Sequence, residues 1–167
     1  MGKVLNTFTN GFPGTPSRTA DEIIITMQNG GNKDIPAGAP IFQKTDGTCE
    51  AFDIDYPQPF EAFLGFAVRV PDKTPDTPVT RPNQENPLAV WRPDEIIEVL
   101  VRGAITVPME ASANRGSEVF LRKADGKLVA SPGTTGTTIN LENVRLRNAR
   151  DTAGGCAEVI VNRRNIL

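Results

Sequence analysis

The 167-residue sequence predicts an all-β domain, an antiparallel β-sandwich, jelly-roll-like fold or squat barrel, and three observations predict it. From Ile97 the odd positions Ile97, Val99, Val101, Ile105 and Val107 are all aliphatic, while the even positions Glu98, Leu100, Arg102 and Thr106 are mixed or polar. A period of two sends successive side chains to opposite faces, so this stretch reads as a long half-buried strand. Two short apolar runs are each interrupted by Asp-Gly, at Asp46-Gly47 and Asp125-Gly126, a strong hairpin signal. Gly 15 and Pro 14 punctuate the chain at a density that suits turn-rich β structure better than helices.

The elements follow in order. Residues 1–20 show neither helical nor strand periodicity, and Thr7 to Arg18 is a run of turn formers carrying Phe8 and Phe12. Two prolines and two glycines make a helix costly there. This is an extended N-terminal arm, either packed over its own domain or reaching to a neighbour, and residues 21–167 form a single β domain. The first strand is Glu22 to Met27, closed by Asn29-Gly30-Gly31. The hairpin Ala39–Lys44 and Cys49–Phe52 follows, with a type I′ turn expected at Asp46-Gly47 because both residues tolerate positive φ. The same design returns at Glu118–Lys123 and Leu128–Ala130, a weak internal echo.

Phe63 to Val70 is another strand. Residues 71–93 then hold six prolines, which no regular element survives, so this is a long surface loop ending near the lone Trp91. The loop either folds over the domain with Trp91 as a peg or contacts a partner. In the long strand Gly103 falls where a side chain should point inward, and a glycine there marks a bend or bulge between two sheets or round a barrel corner. A Ser/Thr/Gly loop at 131–138 precedes Val144–Arg150, and Ala157–Asn162 closes the domain. Eight or nine strands are counted, and no helix.

No apolar run approaches the roughly 20 residues needed to cross a bilayer as a helix, and the start lacks a signal-peptide core, so no membrane partner is expected. Asn6 departs from the Ser/Thr of a myristoylation signal, and a protein made and kept in the cytosol is the default expectation. Cys49 and Cys156 are expected as buried reduced thiols. The net charge of −2 conceals opposite poles: residues 46–98 carry eleven acids and four bases, residues 114–167 nine bases and five acids. Such poles suit head-to-tail contact with copies of the same chain or with a charged lattice. The acidic balance, with no aromatics among the bases, argues against nucleic acid.

Histidine is absent, which removes the commonest general base and metal ligand. Asp53 and Asp55 share a strand face near Asp46, but the twelve-residue calcium-loop pattern is missing. A carboxylate pair could also serve a glycosidase, yet one Trp and one Tyr are too few to line a sugar cleft. No metal site and no cofactor are expected, and catalysis is disfavoured. Arg145, Arg147 and Arg150 form the best polar cluster, read as alternating on one strand face.

Gly11-Phe12-Pro13-Gly14 with Ser17-Arg18, Leu64-Gly65-Phe66-Ala67-Val68, Val99 to Val107 with Arg102-Gly103 at its centre, Gly116 to Phe120, and the ending Asn143–Leu146 with Ala157–Val161 together resemble tailed-bacteriophage head cement (decoration) proteins over nearly the whole chain. Two departures stand out: the glycine-rich link before the central strand is Arg92-Pro93-Asp94-Glu95 here, and the Pro-rich loop is longer. The resemblance implies a small β protein on the exterior of the virion capsid that binds the expanded head and bridges major capsid protein subunits, with no active site. On that expectation Phe8, Phe12 and Trp91 are apolar anchors and Arg18, Arg145, Arg147 and Arg150 the charged ones. The partners are the major capsid protein and further copies of the chain, as a dimer or trimer. Removal of residues 1–18 should spare the β domain. Two other readings are a host-surface carbohydrate-binding β module and a hydrolase running on Asp53 and Asp55.

Overall fold

The computed structural model describes residues 10–53, 63–70, 90–150 and 155–162, with the side chains of residues 18–20 left aside. Among them are eleven strands and no helix: β1 Pro16–Gln28, β2 Ile35–Pro36, β3 Pro40–Gln43, β4 Cys49–Ala51, β5 Phe63–Ala67, β6 Val90–Trp91, β7 Ile96–Pro108, β8 Glu118–Arg122, β9 Leu128–Val129, β10 Thr138–Asn148 and β11 Cys156–Asn162. The main sheet runs β4-β3-β5-β7-β11-β10-β8-β9 with β1 added on β7, and β2 pairs with β6 alongside. Its ladders are antiparallel, so the all-β expectation holds.

Strand β7 is the axis of the fold. Leu100 and Val99 pair with both β1 and β5, while Ala104 and Ile105 pair with both β1 and β11. Its first half therefore lies between β1 and β5 and its second half between β1 and β11. The change comes at Gly103, whose φ of 122° lies in the region side chains avoid. The register with β1 shifts beside it, Ile24 opposite Leu100 but Ile23 opposite Arg102.

That shift corrects the simple alternation. Ile97, Val99 and Val101 enter one apolar cluster with Ile35, Ile41, Leu64 and Trp91. Ile105 and Val107 join Leu100 in another, with Phe42, Phe66, Leu121, Leu146 and Val159. A strand that slips by one residue turns its side chains to the other face. The odd positions of β7 thus serve two cores in succession. Phe63 stands edge-on to Phe42 and Phe66 at 5.8 and 5.5 Å between ring centres, closing the β3–β5 side of the larger cluster.

Both hairpins form where the Asp-Gly signals stand. The turn type differs from expectation: positive φ falls on Gly47 (85°) and Gly126 (70°) and not on the aspartates. Gly47 N donates to Lys44 O at 3.1 Å and Lys44 N to Thr48 O at 2.9 Å, a three-residue loop with the glycine as its bulge. Asp46 spends its side chain locally, accepting from Thr48 N at 2.9 Å and Thr48 Oγ1 at 2.6 Å. These bonds, the hydroxyl's first, hold its carboxyl below the usual value. Cys49 and Cys156 are buried and unbridged, and burial pushes the Cys49 thiol up to about 11, so it stays protonated and unreactive near neutrality.

Candidate docking surface

The segment before β1 is tied down on its own domain. Asn10 Nδ2 donates to Ala149 O at 2.8 Å and Cys156 O at 2.9 Å, and Thr106 Oγ1 donates to Asn10 O at 2.7 Å. Gly14 N donates to Thr106 O and Arg69 N to Gly14 O, both at 2.8 Å, and Thr106 N to Thr15 O at 3.0 Å. Ser17 Oγ donates to Glu158 Oε1 at 2.5 Å. Pro16 to Ala20 already belong to β1, so the strand starts earlier than Glu22 and the arm is shorter than its first 20 residues suggested. Each such bond is worth about 0.5–1.5 kcal/mol net, so together they approach the 5–15 kcal/mol that holds a domain folded. Removing residues 10–18 would cost the fold as well as the arm. Phe8 lies outside the described residues.

Phe12 is 50% exposed, and the guanidinium of Arg69 sits 4.5 Å from its ring centre. That cation–π contact fixes the pose of an apolar ring in water. Arg18 pairs its backbone with Ala104 on the long central strand.

Trp91 is elsewhere. It is 1% exposed, packed in the cluster with Ile35 and Ile97, and its carbonyl accepts from the buried Asn29 Nδ2 at 3.2 Å. A ring this enclosed has no face left for a partner. Residues 71–89, most of the Pro-rich loop, lie outside the described residues.

The arginines are already engaged. Arg145 pairs with Glu118 at 2.9 Å on the solvent side of β10, its cross-strand neighbour. Arg147 Nε is 3.8 Å from Glu158 Oε2 and only 26% exposed. Arg150 lies beyond the end of β10 and donates Nε to Met109 O at 2.5 Å. They are therefore not one free row on one face, as the spacing suggested. The residue missed from sequence is Glu158, 5% exposed, which accepts from Ser17 and, at 2.6 Å, from Asn148 Nδ2.

The carboxylates proposed for chemistry are partnered as well. Asp53 meets Lys33 at 2.8 Å, Asp46 accepts from Thr48 N and Oγ1, and Asp55 is outside the described residues. Among the described residues no three acidic or cysteine side chains converge as metal ligands.

The family model described as structural cement protein (E217 gp24/Pam3 gp6) matches residues 3–162. Among solved structures, a chain of the capsid of Myoviridae phage XM1 aligns with a TM-score of 0.69 at 16% identity, covering 96% of this chain and 95% of that one, which shows a shared fold. The N base of head fiber gp8.5 of bacteriophage phi29 aligns over 87% of this chain and 99% of that one at 9% identity, but its TM-score of 0.41 is too low to carry an argument. No curated protein matches the sequence.

Proposed function

The chain belongs to the phage structural cement protein family, and from that membership we propose that it binds the outer surface of the phage head and bridges major capsid protein subunits. The observation that carries this reading is the family match itself, which runs from residue 3 to residue 162 and so takes in the end of the chain before Asn10. A clamp that binds only the assembled shell stabilises it by mass action, and it needs contact surface rather than an active site. After synthesis in the host cytoplasm the protein joins the virion from outside.

The contacts fall to the segment before Asn10, with Phe8, and to Phe12 at its root, held in pose by Arg69. Arg18 supplies charge at the start of β1 and Arg145 at the exposed face of β10. The Pro-rich loop reaches a second subunit. Trp91, Arg147 and Arg150 support the scaffold instead. A rigid, half-exposed aromatic next to a short extension is the kind of group that dominates protein interfaces.

The test mixes purified protein with empty expanded heads and measures co-sedimentation. Intact chain should saturate the heads stoichiometrically. A chain lacking residues 1–9, which keeps the bonds of Asn10 to Ser17, should bind at least about tenfold more weakly, and Phe12→Ala should weaken binding by a similar factor. Equal binding by the shortened chain would refute the arm contact, and failure of the intact chain to sediment with heads would refute the reading as a whole.

A further inference from the structure

Strand β1 is an edge. Its inner side pairs with β7, and its outer side has no partner among the described residues. The phase of the ladder follows from two bonds: Asn29 N donates to Glu95 O on the β1 side of the chain leading into β7, and Val68 N donates to Glu98 O on the β5 side. With Met27 opposite Ile97 and Ile25 opposite Val99, the peptide groups of Ile25 and Met27 face β7. Those of Ile24, Thr26 and Gln28 therefore point away from the sheet.

The other ends of the main sheet are short, three residues in β4 and two in β9, whereas β1 runs for 13. Proteins guard long edges with lysines, prolines or bulges. From Ile24 to Gln28, beyond the register shift at Ile23/Ile24, this edge has none of these: the run is Ile-Ile-Thr-Met-Gln, with Ile24, like Ile23 before it, more than a third exposed. A bare, apolar, hydrogen-bonding edge of this kind calls for a cover.

We propose that the cover is β1 of a second copy, paired antiparallel about a two-fold axis beside Ile25. The sequence of the edge is complementary to itself in that register. Ile24 faces Thr26 of the second copy and exchanges both backbone bonds with it, Ile23 faces Met27, and the acidic end at Asp21-Glu22 faces the neutral Gln28-Asn29. Like charges never come opposite each other. Asp21 is in any case neutralised within its own chain by Arg102, at 2.8 Å. The product is one sheet continuous across two molecules, with both Phe12 rings left outside the pairing. This inference goes beyond the capsid reading and does not require it.

Sedimentation of the free protein, without heads, tests it. The wild-type chain should sediment at twice its 18.0 kDa. Thr26→Pro removes an outward N–H that bonds nothing among the described residues, so it should fold normally by circular dichroism and weaken self-association at least about tenfold, since the axis makes each substitution act twice. Ile24→Lys should do the same by placing a charge on the edge. Hydrogen exchange at the residue 24 amide should be slow in the wild type and fast in both variants, and at the Thr26 amide slow in the wild type and fast in Ile24→Lys. A wild-type chain that stays monomeric at high micromolar concentration would overturn the proposal, and so would a folded variant that remains fully dimeric. Neither result bears on whether the protein co-sediments with heads.

Discussion

Ser17 on β1 donates its hydroxyl to the enclosed carboxylate of Glu158 on β11, at 2.5 Å, and by doing so ties the start of the chain to its end. Glu158 also receives Asn148 at 2.6 Å and lies 3.8 Å from Arg147. Strands β1, β10 and β11 thus meet at one buried charge. Glu158→Ala should destabilise by about 3 kcal/mol or more, because Arg147 and two donors lose their acceptor together. Ser17→Ala should cost about 1 kcal/mol, and the double variant no more than Glu158→Ala alone. Urea unfolding of the four proteins measures the coupling.

Gly65 crosses β7 so closely that a Cβ on it would overlap the Leu100 carbonyl, with backbone rather than a flexible side chain in the way. Gly65→Ala should therefore lower stability by about 3 kcal/mol, at the upper end for one added methyl group. Gly47→Ala meets no neighbour and is strained only by its φ of 85°, so its cost should be smaller, about 1 kcal/mol. Thermal melts of the two variants side by side separate steric overlap from backbone strain.

Trp91 is the single tryptophan and fully enclosed, so its fluorescence reports the smaller cluster. Its emission should be blue-shifted in the native protein and move to the red on unfolding. Trp91→Phe should retain the fold, and Trp91→Ala should lose about 3–5 kcal/mol.

Arg122 holds Asp125 with Nε at 2.9 Å and also pairs with Glu110. Its hydrogen bonds keep both carboxyls below their ordinary values. With a folded value beneath the unfolded one, the contribution is complete above about pH 5 and fades as pH falls through the lower, folded value. Arg122→Gln should accordingly differ from wild type at neutral pH and converge with it as the pH falls through those folded values, as read from denaturation midpoints along an acid series. The groups are exposed to solvent, and the difference should shrink in high salt.

The strands that carry clear alternation were legible: β7, the two hairpins, and the inward faces of Val144, Leu146, Val159 and Val161. The slip at Gly103 was not, because counting every second residue assumes a constant phase, although the glycine itself marked the place. Strand β1 looked shorter because Pro16 to Ala20 carries no alternation, and β2 and β6, with two residues each, are too short to have a pattern. Glu158 follows the outward phase between Ala157 and Val159, and only the segment folded over it, with Ser17, makes that face an interior. An arginine paired across a sheet and one awaiting a partner have the same spacing, which is why Arg147 looked free.

The crossing of β7 from one apolar cluster to the other has a consequence for how the molecule fails. Ile97 and Val107 sit in different cores yet on one unbroken backbone, so neither core can melt and leave the other's central strand in place. Heat or denaturant should meet one sharp transition rather than two.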